Sequence, residues 1–370
     1  MTIDGVTLEH FRSYGELSAR FCDGVNVIAG RNAQGKTNLI EAVFYLSAGR
    51  SFRARSEKDM IRFGDTDARI CADITAGGRA QRLEARFEHG RRRRLTANGV
   101  PLKTADELSG RLRTVLFCPD DLDMIRDGAA ERRRFMDTCL CQLRPRYAAV
   151  LREFNRLHEH KTAILRNYRE KPSLLEALDD FNLRLAQCSA QLIWFRASFT
   201  ALLSGKAAGI HREFSGGAEE LRIEYRTVKT IDEPRRKPEE LLPAILEHQR
   251  AHRQAELDSG QCLTGAHKDD LEILIDGAAA RAFASQGQAR TAALSMKMAE
   301  REIHFDDSGE YPVLLLDDVL SELDAGRAGF VLSRIKNGQV LITCCEYMEG
   351  LTAVTGAVLY AEGGKITAVQ

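Results

Sequence analysis

The sequence lacks any apolar run that approaches the roughly 20 residues of a membrane-spanning helix. Residues 1–20 also lack the apolar core of a signal peptide, because charges are scattered through them. Lys and Arg number 53 and so do Asp and Glu, so the net charge of zero gives no general attraction for nucleic acid. We therefore expect a cytoplasmic protein with no membrane partner, in which any binding of DNA uses local basic patches.

Paired cysteine spacing is also missing. The nine cysteines are scattered, and the two close pairs, Cys139 with Cys141 and Cys344 with Cys345, are not CxxC motifs. This pattern favours reduced, mostly buried thiols over disulfides or a metal site.

Alternating strand and helix patterns indicate an α/β fold. The 370 residues, 44% of them apolar and 29% charged, are enough for two or three globular domains. An apolar strand at residues 25–29 leads through a glycine-rich loop into a helical pattern at residues 37–46. Residues 68–117 are rich in strand patterns, and Asn98-Gly99 predicts a tight hairpin turn. Strand patterns return at residues 271–275, 341–343 and 357–360.

A long helical stretch interrupts this pattern from residue 131 onward. Apolar residues recur at steps of four and three between residues 174 and 199, which is the spacing of a coiled-coil seam. Lys171-Pro172-Ser173 separates this segment from a helical pattern at residues 147–168, so we expect two antiparallel helices, each about 35 Å long, that form an arm. Two core helices of a bundle fit the pattern equally well.

The remaining middle part of the chain is mixed and charged. Pro234, Pro238 and Pro243 indicate loops between residues 220 and 260. The chain is therefore predicted to have one α/β head that is split in sequence, formed by residues 1–120 and 265–370. Residues 121–264 form a mainly helical domain inserted between the two parts.

Residues 30–37 match the complete phosphate-binding loop pattern, between a strand and a helix. Gly30 and Gly35 let the backbone N–H groups point inward, Lys36 is expected at the β- and γ-phosphates of ATP, and Thr37 is expected to bind Mg²⁺. The alternative is a glycine-rich turn with a coincidental Lys-Thr pair. The expected nucleotide-binding residues are Gly30, Arg31, Asn32, Ala33, Gln34, Gly35, Lys36, Thr37 and Asn38.

Two acids, Asp317 and Asp318, follow four apolar residues that predict a buried parallel strand. Asp317 is expected to hold Mg²⁺ and Asp318 to orient or deprotonate the attacking water. Lys36, Asp317 and Asp318 are thus the expected catalytic residues, and Thr37 and Asp317 the expected metal ligands. Because Asp is one methylene shorter than Glu, we expect slow hydrolysis. A plain buried strand capped by acids is the alternative interpretation.

A third motif, Ser285-Gln286-Gly287-Gln288, opens a helical pattern that runs to about Ile303. A serine hydroxyl and free N–H groups at a helix start can bind an anion. One chain does not need two such sites, so we expect Ser285, Gln286, Gly287 and Gln288 to contact, in trans, the nucleotide of a second copy. Taken alone, the motif is equally an ordinary helix N-cap.

The motifs follow one another along the chain as residues 30–37, 285–288 and 313–318, with the segment Ser-Glu-Leu-Asp at 321–324. In this order they resemble the head of ABC-type ATPases of the SMC class. Further segments are similar to those of the RecF family: Arg50-Ser-Phe-Arg53, Phe117-Cys-Pro-Asp-Asp-Leu122, Glu131-Arg-Arg-Arg-Phe-Met-Asp137 and Gly265-Ala-His-Lys-Asp-Asp-Leu271. The resemblance implies an ATP-dependent DNA-binding protein of recombinational repair at replication gaps. Proteins of this kind form a homodimer on ATP, bind duplex or gapped DNA, and help RecO and RecR to load RecA. It also implies weak, DNA-dependent ATPase activity, in which slow hydrolysis releases the DNA.

The sequence departs from these families at several positions. Gly265-Ala266-His267-Lys268 stands where the family usually has Gly-Pro-His-Arg, and residues 343–346 (Thr-Cys-Cys-Glu) stand where ABC ATPases place a switch histidine. Arg12 resembles a position near the nucleotide in SMC-class heads, and His267 is expected to be structural. The arginines at 91–94 and 132–134 are candidates for DNA contact, although a solvated charged face is the default interpretation.

Other functions fit parts of the same pattern. An ATP-hydrolysing subunit of another ABC-class assembly, whether a transporter or an SMC-like scaffold, would carry the same three motifs. The long helical insertion argues against a transporter subunit, whose helical subdomain is much smaller. A P-loop kinase or an ATP-sensing scaffold would use the phosphate-binding loop but would have no need of the motif at Ser285.

Overall fold

The computed structural model describes residues 1–345, 351 and 355–369. Its β-strands within that range are β1 (Thr2–Phe11), β2 (Tyr14–Arg20), β3 (Val25–Ala29), β4 (Asp67–Ala76), β5 (Arg79–Glu88), β6 (Arg94–Ala97), β7 (Val100–Leu102), β8 (Thr114–Phe117), β9 (Leu221–Arg226), β10 (Asp270–Ile275), β11 (Ala278–Ala279), β12 (Val313–Asp317), β13 (Val340–Cys344), β14 (Thr355–Glu362) and β15 (Lys365–Val369). The α-helices there are α1 (Lys36–Ala48), α2 (Asp123–Arg126), α3 (Ala129–Leu143), α4 (Pro145–Asn167), α5 (Leu178–Phe214), α6 (Pro238–Ser259), α7 (Ala280–Phe283), α8 (Gln286–Ser308) and α9 (Ala325–Arg334). In this part of the chain, no helix combines the length and apolar character that a membrane crossing needs.

A mainly parallel sheet brings the two ends of the sequence together. Its strand order is β15-β14-β3-β13-β12-β8, and only the edge pair β14–β15 is antiparallel. Every residue of β3, β12 and β13 is buried, as expected for a parallel sheet covered on both faces. Because parallel strands end at the same edge, the residues after β3, β12 and β13 lie side by side there.

The two faces of this sheet pack against different layers, as the alternation of side chains along a strand requires. Val27, Leu314 and Ile342 point into one apolar cluster with the helices that include α8 and α5. Ile28 and Leu315 point into the other cluster, which contains α1 and the antiparallel sheet β2-β1-β4-β5-β6-β7. Helix α1, which begins with the phosphate-binding loop lysine, therefore lies between the two sheets.

The hairpin that ends the antiparallel sheet follows the sequence prediction. Asn98 and Gly99 connect β6 to β7 with φ angles of 52° and 76°. Positive φ at both central residues is the requirement of a type I′ turn, which Asn-Gly satisfies.

The helical insertion is longer and more firmly packed than an isolated arm. Helices α4 and α5 are antiparallel, since Arg146 contacts Gln191 and Glu153 contacts Arg184. Helix α5 has 37 residues, about 55 Å at 1.5 Å per residue, so the predicted length of about 35 Å is wrong for this helix. Its second half packs against α8 and β9, and its apolar residues share one cluster with the parallel sheet. The division at residues 120/121 and 264/265 stays a prediction.

The expectation of a loop at Pro243 is wrong, because Pro243 lies inside α6. Pro238 stands at the first helical position, where proline is well tolerated. Pro243 costs the helix only the hydrogen bond to the carbonyl of Glu239 in the first turn. Leu241 and Ile245 bury the apolar face of α6 against α5, which offsets that loss.

A buried ionic cluster, which we call the Arg196 junction, joins α5 to both neighbouring parts of the chain. The Arg196 guanidinium donates to Asp137 on α3 (2.9 Å), to Asp269 before β10 (3.0 Å) and to the carbonyl of Ala266 (2.6 Å). Tyr225 donates to the same Asp269 carboxylate at 2.5 Å. The side chains of Arg196 and Asp269 are 2% and 1% exposed and that of Asp137 is 15% exposed, so the guanidinium is removed from water and lies beside two opposite charges.

Candidate nucleotide site and its partner-facing motif

The phosphate-binding loop connects β3 to α1 and has the backbone conformation that its glycines permit. Gly30 and Gly35 have φ angles of 155° and 93°. A Cβ at Gly30 would stand 2.4 Å from the carbonyl oxygen of Ala361, and one at Gly35 would stand 2.7 Å from the Tyr14 hydroxyl. Tyr14 donates to the Gly35 carbonyl at 2.9 Å. No other residue fits these two positions without moving the loop.

Lys36 is held over the loop that precedes it. Its ammonium donates to the carbonyls of Gly30 at 2.6 Å and Arg31 at 3.0 Å, and its side chain is buried. The loop N–H groups and the start of α1 surround the same point, so phosphate oxygens there would meet both the ammonium and the helix dipole.

The amide side chains of the phosphate-binding loop and of the start of α1 form hydrogen bonds to different parts of the protein. Asn32 accepts from the Cys345 thiol at 2.8 Å, and Gln34 accepts from the N–H of Gly363 at 2.9 Å. Asn38 donates to the Ser13 hydroxyl at 2.8 Å and accepts from Arg53 at 3.3 Å. Arg31 and Ala33 are exposed. A cleft beside the loop is lined by Ala29, Gly30, Arg31, Asn32, Gln34, Cys345, Tyr360, Ala361 and Glu362.

Asp317 lies between two threonine hydroxyls at the edge of the sheet. Its Oδ1 accepts from Thr37 Oγ1 at 3.1 Å and from Thr343 Oγ1 at 2.7 Å. In the register of the sheet, Asp317 pairs with Thr343, which pairs with Ile28. The end of β13 therefore places Thr343 between the phosphate-binding loop and Asp317.

This donor set fits Mg²⁺. An octahedral ion with oxygen ligands at about 2.1 Å needs neighbouring ligands about 3 Å apart, which is the separation of the Thr37 and Asp317 oxygens. Burial raises the pKa of Asp317, against the hydrogen bonds from Thr343 and Thr37 that lower it. The charge of Arg53 also lowers this pKa, but no salt bridge to Asp317 is formed among the described residues, so a bound cation would supply the close opposite charge.

Asp318 is turned away from the strand by an unusual backbone conformation. Its φ is 55°, which is uncommon for a residue with a side chain. Its N–H donates to Thr343 Oγ1 at 2.9 Å, while Ser321 donates to its carbonyl at 2.7 Å and its carboxylate at 3.1 Å. The Asp318 carboxylate is thus held by Ser321 beside Asp317, and its role in orienting water stays a prediction.

The motif at residues 285–288 forms the start of α8 with a complete capping box. Ser285 Oγ accepts from the N–H of Gln288 at 3.2 Å, and the Gln288 side chain accepts from the N–H of Ser285 at 2.9 Å. Ser285 and Gln286 are exposed, and so is Phe283 just before them. In the described part of the chain, no hydrogen bond joins residues 285–288 to residues 30–38, so the two motifs serve different places on the surface.

Arg327 connects this motif to the segment that follows Asp318. It donates to the carbonyl of Gly287 at 3.3 Å and to Thr291 at 2.9 Å, and it forms an ion pair with Asp324. Asp324 in turn caps α9 by accepting from the N–H of Arg327 at 2.9 Å. Arg327 therefore links the start of α9 directly to the start of α8.

Three of the seven arginines that the sequence offered for DNA contact are engaged within the protein, whereas Arg91, Arg92, Arg94 and Arg134 are exposed, as the default interpretation of a solvated face expects. Arg93 donates to Tyr45 and to the carbonyl of Gly49, both at 2.8 Å. Arg132 is 4% exposed and pairs with Asp270, at 2.7 Å and 2.9 Å. Arg133 donates to the carbonyl of Asp269 at 2.6 Å. A solvated charged face is thus the wrong description of these three residues.

Arg12 is also held by a structural partner. Its guanidinium binds both oxygens of the buried Glu41 carboxylate at 2.8 Å and 2.7 Å. A role at the nucleotide stays a prediction. Of the segment 343–346, Thr343 and Cys345 lie at the site, and Glu346 lies outside the described residues.

Sequence reasoning missed Thr343, Arg327 and Arg196 as organising residues. Thr343 could have been found from its place at the end of a short apolar strand, because three strand ends meet at this edge. The partners of Arg327 and Arg196 lie far away in sequence, and no local spacing marks them.

Comparison with known proteins places this architecture among those of DNA repair. The family described as RecF/RecN/SMC N terminal domain matches residues 2–360. The protein named DNA replication and repair protein RecF of Acetivibrio thermocellus is 36% identical over 346 residues, which cover 94% of each chain. The protein of the same name from Ruminiclostridium cellulolyticum is 33% identical over 369 residues, 99% of each chain.

Solved structures agree with these sequence relatives. A structure described as the recombination mediator protein RecF-ATPrS in the RecFOR pathway has a TM-score of 0.92, with 29% identity over 100% of this chain and 98% of that chain. The corresponding RecF-ATP structure has a TM-score of 0.90, with 30% identity over 100% of this chain and 97% of that chain. An Smc head bound to the C-winged helix domain of ScpA has a TM-score of 0.58 and 16% identity, which shows a shared fold alone.

Proposed function

This chain belongs to the RecF family, and from that premise we propose that it is an ATP-dependent DNA-binding protein of recombinational repair and replication-gap processing. ATP drives two copies to close face to face, and the closed dimer binds duplex or gapped DNA. The principal role is DNA binding, and the ATPase activity is weak. The single observation that carries the proposal is that the phosphate-binding loop and the exposed helix start at Ser285 lie at different places on the surface of one chain.

The first half of the proposed nucleotide site is the phosphate-binding loop with Asp317 and Thr343. It has the Lys36 ammonium, the loop N–H groups and the Thr37 and Asp317 oxygens that fit Mg²⁺, but within the described residues no hydrogen bond joins it to the serine motif at residues 285–288. The second half is Ser285, an exposed residue whose hydroxyl caps the start of α8. Two copies related by a twofold axis would complete two nucleotide sites at once.

Hydrolysis would use Asp318 to orient the attacking water in line with the γ-phosphate. The short Asp side chain, anchored by Ser321, supports slow turnover. After hydrolysis the γ-phosphate no longer connects the two halves, so the dimer opens and releases DNA. The connection through Arg327 supports coupling between the two events.

The proposed partners follow from the family. The ATP-bound relative is described within the RecFOR pathway, so we assign RecR and RecO as direct partners of this chain and RecA as the indirect beneficiary. The DNA contacts are phosphate contacts by Lys and Arg side chains, and affinity for DNA should therefore fall steeply with salt.

The oligomeric state in ATP tests the composite site. By analytical ultracentrifugation, the unmodified chain should be a dimer in Mg-ATP and a monomer without nucleotide. Lys36→Ala should stay monomeric because it does not hold the phosphates. Ser285→Arg should bind ATP normally and stay monomeric, whereas Ser173→Arg, at an exposed serine between α4 and α5, should still dimerise.

A mixture of the two defective variants makes the test sharper. One composite site of the mixed dimer combines the intact loop of Ser285→Arg with the intact Ser285 of Lys36→Ala. Partial dimerisation of the mixture, with none in either variant alone, is the expected result. Equal dimer populations of the unmodified chain with and without ATP would contradict the proposal.

Binding of DNA is tested separately. Gel shifts on gapped, duplex and single-stranded DNA should show the strongest binding to gapped or duplex DNA in ATP, with loss in ADP. Binding that is indifferent to nucleotide would separate DNA binding from the ATP cycle and overturn that part of the proposal.

A further inference from the structure

Three side chains with metal-ligating atoms converge at the base of the insertion, away from the nucleotide motifs. His158 comes from α4, Cys262 follows the end of α6, and His267 lies in the short turn Ala266–Lys268 before β10. The ligand atoms of these three residues all lie within 4.8 Å of one another. We refer to them as the His158–Cys262–His267 cluster.

His267 is fixed in the state that a metal ion needs. Its Nε2 contacts the carbonyl oxygen of Cys262 at 3.1 Å, and since a carbonyl only accepts, Nε2 carries the proton. The lone pair is then on Nδ1, which is buried and has no hydrogen-bond partner. Ligating histidines typically donate their other N–H to such a carbonyl.

Cys262 is held in a turn that the protein organises independently of any ion. The carboxylate of Glu256 accepts from the N–H of Leu263 at 2.8 Å and from the N–H and hydroxyl of Thr264 at 3.2 Å and 3.0 Å. Lys161, buried nearby, is neutralised by the same carboxylate at 2.7 Å. The turn is therefore rigid, and the neighbouring ammonium does not present an unpaired charge to an incoming cation.

His158 completes the cluster from the solvent side. Its ring stacks on Phe154 and its centroid is 4.3 Å from that of His267. Both imidazoles are half-buried, which leaves an approach for an ion from water.

We propose that His158, Cys262 and His267 bind a divalent transition metal of the Zn²⁺ class, with solvent in the fourth tetrahedral position. Two imidazole nitrogens and a thiolate are a donor set that such ions prefer. Ligands at about 2.0–2.3 Å from a tetrahedral ion are about 3.5 Å apart, and the three ligand atoms lie within 4.8 Å of one another, so small side-chain rotations bring them to that spacing. The Cys262 thiol, which now donates to the Thr264 carbonyl at 3.4 Å, loses its proton to water as the Zn–S bond forms.

A second cluster of the same kind does not carry this inference. Cys139, Glu300 and His304 also lie within 4.8 Å of one another, but all three are fully buried. Glu300 is already paired with Lys297 at 2.6 Å. A metal ion there would displace that ammonium and would have no approach from solvent.

The position of the cluster gives the metal a structural consequence. Ala266, next to His267, accepts from Arg196 at the Arg196 junction. A metal ion would tie α4 and the end of α6 to the turn that leads into β10. The site would thus hold the insertion firmly against the strand that returns the chain to the head.

Cobalt titration tests the site on the full chain. Freed of metal with a chelator, the protein should bind one equivalent of Co²⁺, with the absorption of a tetrahedral ion and a thiolate-to-cobalt band, and Zn²⁺ should displace it. Cys262→Ser and His158→Gln should each weaken binding by at least about 10-fold. His160→Gln, an exposed histidine on the same helix, and Cys188→Ser, a buried thiol on α5, should bind as the unmodified chain does.

Two results would overturn the proposal. The first is that the unmodified chain binds less than one equivalent of Co²⁺ or shows no thiolate-to-cobalt band. This result does not depend on the folding of any variant. The other is binding that is equal in the cluster variants and the two controls, which would indicate adventitious metal at other surface groups. Circular dichroism of each metal-free variant checks that it is folded.

Discussion

Two buried acidic centres of this molecule are built differently. At the Arg196 junction, Asp137 and Asp269 face a guanidinium, and a tyrosine hydroxyl adds a further donor. At the edge of the parallel sheet, Asp317 is nearly as buried, but its partners are two neutral threonine hydroxyls. The junction pairs each acid directly with a cation, whereas Asp317 forms no salt bridge among the described residues and feels the Arg53 charge only at a distance. That difference marks the first centre as structural and the second as a place for a cation.

The backbone conformation also differs between the two centres. Near the nucleotide site, Arg12, Ala33 and Asp318 have φ angles of 54°, 64° and 55°. Such conformations cost about 1–3 kcal/mol each and persist where the surroundings impose them. Arg196, on α5, is in ordinary helical backbone. Within the described residues His10, Asn98 and Asp276 also have positive φ, so this conformation is not confined to the nucleotide site, although Arg196 does not share it.

The largest effect on the free energy of unfolding should come from removing the guanidinium of the Arg196 junction. Arg196→Met removes the guanidinium and leaves Asp137 and Asp269 buried without their partner, so the free energy of unfolding should fall by about 3–5 kcal/mol. Arg184 lies on the same helix as Arg196 and forms an exposed ion pair with Glu153 on α4. Arg184→Met removes that pair and should cost about 1 kcal/mol or less. Denaturant unfolding measures both. Equal losses would mean that the two ion pairs are energetically alike.

An intermediate effect should come from removing the charge of Asp317. Asp317→Asn keeps an oxygen for Thr37 and Thr343 but no longer attracts Mg²⁺. For the unmodified chain, Mg-ATP at about 100 times its Kd should add about 2.7 kcal/mol to the free energy of unfolding. Asp317→Asn should lose that increment, while its stability without nucleotide stays the same or rises. Thermal shift with and without Mg-ATP measures both quantities, and a variant that is destabilised without nucleotide would place Asp317 with the structural acids.

The smallest effect concerns pH. Burial raises the pKa of Asp317 above its ordinary value of 3.8, so the folded chain binds its proton more tightly than the unfolded chain. The stability that this group contributes is therefore present at low pH and lost as pH rises through its folded-state pKa. Without Mg²⁺, the stability of Asp317→Asn relative to the unmodified chain should increase as pH rises from about 4.

Asp307 provides a control of opposite sign. Burial opposes the shift, but hydrogen bonds from Arg144 and Arg113 lower the pKa of Asp307 below 3.8. Its contribution is present above the unfolded-state pKa and lost as pH falls through the folded-state pKa. Asp307→Asn should therefore be less stable than the unmodified chain at neutral pH, and the deficit should shrink in acid. Parallel pH curves for the two variants would contradict the assigned pKa directions.

Local chemistry explains what the sequence predicted well. The strand β3, the glycine positions of the phosphate-binding loop, the Asn98-Gly99 turn and the capping box at Ser285 each depend on a few neighbouring residues. The predicted fold, an ABC-type ATPase head split by a helical insertion, is confirmed by the RecF structures. Fold prediction was therefore strongest where one short segment sets its own conformation.

The errors share a different cause, since each depends on contacts distant in sequence. Pro243 stays helical because α5 covers the apolar face of α6. Arg132 is buried because Asp270 comes from the far side of the insertion. The His158–Cys262–His267 cluster also escaped a search for cysteine spacing, because its members come from three separate elements. The nucleotide contacts of Ser285 stay a prediction for the same reason, since they would involve a second chain.

The strand order of the parallel sheet also has a consequence for the time course of folding. Strand β3 pairs with β13 and β14, so the phosphate-binding loop stays without its neighbours until almost the whole chain has been synthesised. Pairings over such separations require the closure of very long loops and form slowly. A nascent chain should therefore acquire affinity for ATP abruptly and late. An unfinished chain that lacks β13 and β14 would not dimerise on ATP. It would therefore not bind DNA as a defective dimer.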